Sequence, residues 1–294
     1  MSSSAPLDPP LLSLETAFWP LPKLGSQEYD LHIHTESAVG NWLTEQQLRQ
    51  RLRKEWLRAT PQGGAIYRLS LLSFAQYPPT GLSALAGEAA QLRRELEVET
   101  DAQGRLLRVL NKATLREQWE LLRPNLLRKY ADSDTITSTM VHNLGAVLHG
   151  DGYLEDVLRP TSEFRLVLPA LYGRSLHTQS TQWDSTIVPR AIGSVDLPLH
   201  LIAQLRAAPS EAYASVLLEG ELDEDQYRAA DVGRAVQALT GRPDADPSLA
   251  VTYAESFELD AAGQVLAAAQ LTAYAVPGAL KCQTVATLSL VSTT

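Results

Sequence analysis

Two nine-residue stretches of this chain are near copies of each other: Glu99-Thr-Asp101-Ala-Gln-Gly104-Arg-Leu106-Leu107 and Glu258-Leu-Asp260-Ala-Ala-Gly263-Gln-Val265-Leu266. In each, an aspartate is followed three residues later by a glycine, and apolar residues flank the pair, which is the pattern of a strand, a tight turn and a second strand. Glycine suits such a turn because it adopts positive φ angles at no steric cost. The two stretches therefore predict two β-hairpins of similar build and suggest an internal repeat.

Two further pairs of segments extend the likeness in the same order along the chain. Asp30-Leu-His-Ile-His34 resembles Asp196-Leu-Pro-Leu-His200, and residues 67–72 resemble residues 213–218. A helix is predicted between the tyrosine segment and the hairpin in each copy. The simplest interpretation is a duplicated β-β-α-β-β module. Chance similarity is the alternative, because short alternating strands draw on few residue types.

Apolar periodicity predicts the elements between these landmarks. Thr44 and Gln47 match a capping box, and the apolar residues that follow recur at i, i+4 and i+8 (Leu48, Leu52, Trp56), which favours a helix over 44–58. After Pro160 the apolar residues alternate (Phe164, Leu166, Leu168), which favours a strand. The first helix is thus treated as an insertion in the first copy.

These patterns together predict an α+β fold. It consists of two related antiparallel β modules, each with the order β-β-α-β-β and packed helices, joined by a helical connector. We expect the chain to divide into a flexible leader at 1–14, a first α+β module at 15–110, the connector at 111–159 and a second, strand-rich α+β module at 160–294.

Composition and charge bound the function. The chain has 294 residues, 45% hydrophobic and 20% charged, which is typical of a globular protein. Cys282 is the only cysteine, so an intramolecular disulfide and a thiolate metal cluster are excluded. The net charge of −9 arises entirely in residues 151–294, so nucleic acid is not an expected partner. With no secretory signal and no apolar run long enough to insert in a membrane, we expect a soluble cytoplasmic protein.

One motif points to metal chemistry. Asp30-Leu-His32-Ile-His34-Thr35 resembles the first motif of the PHP (polymerase and histidinol phosphatase) family, metal-dependent phosphoesterases in which two histidines at a strand end bind metal. Histidines two apart on a strand face the same way and can share one ion. The family usually continues with Ser-Asp-Gly, whereas this chain continues with Glu36-Ser-Ala-Val-Gly40. Because the second copy has a proline in place of His32, we interpret His32 and His34 as strand surface, with a metal site as the fallback.

Other reactive side chains have structural interpretations. The acidic run Asp223–Asp225 is placed where a helix is predicted to start, and carboxylates are favoured there by the helix dipole. Cys282 is interpreted as a small buried residue in a strand. The sequence has no Gly-x-Ser-x-Gly motif of serine hydrolases. We therefore assign no catalytic or cofactor-binding residue and expect no cofactor.

The first functional hypothesis is a non-enzymatic binding or interaction protein, whose ligand is a protein partner or an apolar small molecule held in the concavity of a sheet. The alternatives are a metal-dependent hydrolase or phosphoesterase using His32 and His34, and a structural subunit of a larger assembly. The sequence leaves the ligand and the oligomeric state open.

Overall fold

A single large antiparallel sheet organises the chain. The computed structural model describes residues 15–22, 25–79, 82–130, 135–150, 152–208, 212–241 and 248–293, so the predicted leader at 1–14 lies outside the described residues. The strands are β1 (Thr16–Phe18), β2 (Ser26–Val39), β3 (Trp42–Ala59), β4 (Ala65–Tyr77), β5 (Glu95–Thr100), β6 (Leu106–Val109), β7 (Ser175–His177), β8 (Thr181–Ile192), β9 (Val195–Arg206), β10 (Ala214–Leu222), β11 (Ala250–Leu259), β12 (Val265–Val276) and β13 (Leu280–Thr293). The helices are α1 (Leu82–Ala90), α2 (Lys112–Lys129), α3 (Thr135–His149), α4 (Tyr153–Leu158), α5 (Ser162–Val167) and α6 (Ala229–Thr240).

The predicted fold class is wrong. About 51% of the residues are in strands and 25% are helical. Eleven of the strands form one antiparallel sheet in the order β6-β5-β4-β3-β2-β13-β12-β11-β10-β9-β8, and β1 pairs with β7 beside it. The last strand, β13, pairs with β2 along nearly its whole length, so one sheet runs through both predicted modules. The proposed division into a leader, two modules and a connector stays a prediction.

The predicted helix at 44–58 is instead strand β3. Its apolar residues lie four apart, and a spacing of four places residues on one face under the two-residue period of a strand as well as on a helix. In the structure, exposed Arg49 and Arg53 alternate with buried Gln50, Leu52 and Lys54, and pairing with β2 and β4 on both sides makes the segment a strand. The predicted capping residue Thr44 pairs across the strands with Ser37, and their hydroxyls are 2.5 Å apart.

The predicted strand after Pro160 is instead the short helix α5. Phe164, Leu166 and Val167 are all buried there. A helix that is surrounded by protein need not show an amphipathic period, because all of its faces pack against apolar groups. The alternation of apolar residues at 164–168 therefore does not distinguish a strand from a buried helix.

The two predicted hairpin turns, at 101–104 and 260–263, have the same hydrogen bonds. Asp101 Oδ1 accepts the backbone N–H groups of Gln103 and Arg105, and Asp260 Oδ1 accepts those of Ala262 and Gln264. Gly104 and Gly263, which follow in the turns, have φ angles of 91° and 82°. The aspartate side chain and the glycine backbone thus fix both turns locally.

The likeness of the two Asp-Leu segments does not extend to their place in the sheet. Asp196–His200 lies in β9, which pairs directly with β10. Asp30–His34 lies in β2, which is separated from β4 by the whole of β3. The topological counterpart of β9 is therefore β3, and the predicted β-β-α-β-β match fails at its first strand.

The sheet curls around the helical segment. Eleven strands about 4.8 Å apart would place the edges of a flat sheet about 48 Å apart. Arg105, in the turn beside edge strand β6, nevertheless forms an ion pair with Asp184 on the opposite edge strand β8. The face enclosed by this curl, called here the inner face, receives helix α5 and the chain after it: Lys54 Nζ donates to the Val167 carbonyl at 3.0 Å, and the Tyr172 hydroxyl donates to the Gly263 carbonyl at 3.1 Å. The main core lies between this segment and the sheet.

Candidate functional site

The histidines of the predicted metal motif lie on the outer face of β2. Leu31 is fully buried and Ile33 packs against the core, whereas His32 is exposed and His34 half-buried. His34 Nε2 lies 3.0 Å from Glu45 Oε1 on the neighbouring strand. Within the described ranges, no group of three or more His, Cys, Asp or Glu side chains is placed to hold a metal ion.

A cavity of about 370 Å³, called here the first cavity, lies between strands β8–β11 and the segment around α4 and α5. Its volume lies in the range of small-molecule sites. Ten of its nineteen lining residues are apolar: Leu106, Pro160, Phe164, Leu168, Ala170, Trp183, Ile187, Pro189, Leu201 and Leu218. These residues come from both edges of the sheet, so the curl of the sheet creates the cavity.

The charged residues that line the first cavity are partnered. Arg159 Nη1 lies 3.2 Å from Asp156 Oδ1, and Arg159 Nε donates to the Leu106 carbonyl. Asp184 accepts from Arg105 and, at 2.9 Å, from Arg174. Asp196 is the exception: its Oδ1 accepts the Arg190 backbone N–H at 2.7 Å, and it forms no ion pair among the described residues, so the lining of the first cavity includes one carboxylate without a counterion.

A buried polar network forms one wall of the first cavity. Arg165 on α5 donates to the Glu255 carboxylate on β11, and its Nη1 donates to the Thr186 hydroxyl at 2.8 Å. Gln270 Nε2 donates to Glu255 Oε1 at 3.0 Å and to the Tyr253 hydroxyl at 2.9 Å. Burial lowers the pKa of Arg165, but the Glu255 carboxylate outweighs it and holds the pKa above its ordinary value, so the guanidinium stays protonated.

Trp183 lines the first cavity, but its indole N–H is enclosed by protein and has no hydrogen-bond partner among the described residues. The Arg174 guanidinium carbon lies 4.9 Å from the centroid of the Trp183 ring, which favours this ring position. Trp183 belongs to an irregular stretch of β8 where the register with β9 shifts between Gln182 and Ser185. A buried donor without a partner is unfavourable.

A second cluster lies on β8, β9 and the turn after β10. Ser185 Oγ is 3.3 Å from His200 Nδ1, and His200 Nε2 is 3.2 Å from Asp223 Oδ2. Asp223 is 2% exposed, and its Oδ1 accepts the backbone N–H groups of Asp225 and Gln226. The acidic run was predicted to begin a helix, but α6 begins only at Ala229, and Asp223 instead fixes the preceding turn.

No known family matches this chain. Comparison with the known protein families finds no match, and no curated protein shows significant similarity to it. The site therefore has to be interpreted from its own geometry.

The sequence did not predict the first cavity or the cluster of Ser185, His200 and Asp223, because the residues that form them are far apart in the chain. Arg165 and Glu255 are 90 positions apart, and Arg105 and Asp184 are 79 positions apart. A charged residue inside an apolar period was the available signal: Glu255 interrupts the alternation of Tyr253 and Phe257 on β11. Such an interruption marks a buried charge, and buried charges require partners.

Proposed function

We propose that this protein is a non-enzymatic binding protein for a predominantly apolar small molecule, held in the first cavity between the inner face of the sheet and α5. The observation that supports the proposal most directly is the cavity itself, which is sizeable, is lined by apolar residues at ten of nineteen positions and has charged residues that, apart from Asp196, are already paired. An empty apolar cavity is unfavourable for its lining, because its atoms lack contacts on one side. An apolar ligand supplies those contacts.

The Trp183 ring lines the first cavity with its indole N–H enclosed by protein, so the ligand is held mainly by apolar contacts. Binding of this kind needs no proton transfer and no metal. The sequence-based expectation of a cytoplasmic location stays a prediction; within the described residues no helix is long and apolar enough to cross a membrane.

The test is a matched pair of tryptophan substitutions. Ala170 lines the first cavity, whereas Ala75 is exposed on β4. Ala170→Trp fills the cavity, and Ala75→Trp adds the same side chain elsewhere. We expect the neutral apolar dye Nile red to bind the parent protein and Ala75→Trp with enhanced fluorescence, and Ala170→Trp to bind it about tenfold or more weakly, a difference of about 1.4 kcal/mol. Equal binding by all three proteins would contradict the proposal.

A second candidate function is hydrolysis by Ser185, favoured by one observation: the contacts from Ser185 to His200 and from His200 to Asp223. In the Ser-His-Asp arrangement the histidine accepts the serine proton and the carboxylate orients the ring. Here the serine lies at Nδ1 and the carboxylate at Nε2, the reverse of the usual use of the two nitrogens. Asp223 is well fixed for the orienting role, and Ser185 lines the first cavity.

Covalent labelling separates the two functions. A fluorophosphonate probe attaches to an activated serine, and the modified peptide is identified by mass spectrometry. The binding function predicts no label at Ser185. Labelling that Ser185→Ala and His200→Gln both remove, while Ser37→Ala at a half-buried position of β2 retains it, would establish the hydrolase instead.

A further inference from the structure

A second cavity adjoins the first. It has a volume of about 350 Å³, and the two share Pro160, Ile187 and Pro189 in their linings. Tyr274, in the second cavity, also packs against the small core under α6. Pro160, Ile187 and Pro189 therefore mark the boundary that a ligand occupying both cavities would cross.

The second cavity has a different chemistry. None of its thirteen lining residues is charged, and six carry a hydroxyl group: Thr161, Ser162, Tyr253, Thr272, Tyr274 and Thr284. Gln270 adds an amide. The hydroxyls of Ser162 and Thr272 have no hydrogen-bond partner within the described parts of the chain, whereas Thr284 bonds to Thr35 at 3.0 Å. Hydroxyl groups both donate and accept hydrogen bonds, so this lining suits a polar group that does both.

The alternation of β12 explains how the polar lining arises. Ala268 and Val276 are buried on the inner face of the strand, and between them the same face carries Gln270, Thr272 and Tyr274. Three successive inward positions are thus polar on a strand whose two ends are apolar. Gln270 is buried and bonds to Tyr253 and Glu255, whereas Thr272 and Tyr274 are half-buried and line the second cavity.

The wall between the cavities excludes a charged ligand group. Arg165, Glu255 and Thr186 line the first cavity, and Tyr253 and Gln270 line the second. This network holds one cation and one anion, which are paired with each other. A charged group in the second cavity would lose its hydration without meeting an unpaired counterion, and that desolvation is strongly unfavourable.

We infer that the second cavity binds the uncharged, hydroxyl-bearing end of an amphipathic ligand whose apolar part occupies the first cavity. The ligand class is that of an alkyl chain joined to a neutral polyol or sugar. This inference rests on the proposed binding function and adds the chemistry of the ligand's second end. Thr272 and Ser162 are the residues whose hydroxyls recognise that end.

Four probes that share an eight-carbon chain test the head group: octyl glucoside, octyl sulfate, octyltrimethylammonium and octanol. Binding is measured by calorimetry, with the first three below their micelle-forming concentrations and octanol below its solubility limit. We expect octyl glucoside to bind at least about tenfold more tightly than either charged probe. Thr272→Val removes one hydroxyl at nearly constant shape and should weaken octyl glucoside about threefold to tenfold, with octanol unchanged. Thr287→Val, on an exposed position of β13, is the matched control and should change neither.

The outcomes separate this inference from the function on which it rests. If octanol binds and Ala170→Trp abolishes its binding, but octyl glucoside shows no advantage or Thr272→Val has no effect, the head-group site is refuted and the apolar site stands. If neither octanol nor Nile red binds the parent protein, both proposals fail. Tighter binding of octyl sulfate would show a ligand of the opposite character and overturn the inference.

Discussion

Lys54 is the side chain whose burial has the most measurable consequence. It lies on β3 with 5% of its surface exposed; its ammonium group donates to the Val167 carbonyl at 3.0 Å and lies 4.7 Å from the centroid of the Tyr67 ring. Neither partner carries a negative charge. Burial therefore lowers the pKa of Lys54 to about 8, from an ordinary value of 10.5.

The shift sets the direction and size of a pH effect. Between pH 8 and 10.5 the unfolded chain binds the Lys54 proton more fully than the folded chain, so stability rises with pH through this window. By proton linkage, Lys54 lowers the free energy of unfolding by about 3.3 kcal/mol at pH 7, where its side chain is protonated in both the folded and the unfolded chain. At pH 10 this destabilisation falls to about 0.8 kcal/mol. The contribution of Lys54 to the free energy of unfolding thus changes by about 2.5 kcal/mol across this range.

Lys54→Met removes the titrating group while keeping most of the side-chain volume. The assay is urea denaturation of the parent and the variant at pH 7 and pH 10, read by tryptophan fluorescence. We expect the stability of the variant relative to the parent to be about 2.5 kcal/mol more favourable at pH 7 than at pH 10. Loss of the bond to Val167 shifts both values equally and does not affect this difference. Lys281→Met, at an exposed position, should show a pH-independent difference, and the same result for Lys54→Met would refute the reasoning.

Three other predictions concern the turn, a buried carboxylate and the histidine pair. Gly263→Ala should destabilise the protein by about 1–3 kcal/mol more than Gly241→Ala, measured by denaturant unfolding. Both glycines have positive φ, but of the two only Gly263 would bring the new Cβ against an aromatic ring, that of Trp19 at 2.9 Å. Burial raises the pKa of Glu155, but the hydrogen bonds from Lys112 and from the Val109 backbone N–H together with the Lys112 charge outweigh it, and the pKa is lowered. Parent stability should therefore fall as the pH drops below about 4.5, and a Glu155→Gln variant that lost stability equally over that range would contradict this. Elemental analysis should find no stoichiometric metal in the parent protein, whereas zinc or manganese that His32→Ala removes would establish the metal-dependent alternative.

Short stretches of sequence were enough to specify the tight turns and many of the strands and helices. The Asp-x-x-Gly turns formed where their residues required them, because an aspartate that bonds to the next backbone N–H groups and a glycine with positive φ act within five residues. The strands of the two predicted modules also formed, at β2, β4–β6 and β9–β12, and so did the helix predicted within each module, α1 and α6. The apolar periodicity of these segments fits one type of element only, the one observed.

Tertiary structure decided what the local pattern left ambiguous or did not contain. The residues Leu48, Leu52 and Trp56 share a face in a helix and in a strand alike, and pairing with β2 and β4 on both sides made the segment a strand. The pairing of β13 with β2 made one sheet out of two expected modules, and the contact of Arg105 with Asp184 shows how far that sheet curls. Both cavities follow from this curl, because it brings together side chains that are far apart in sequence, and no short window of the chain records such a contact.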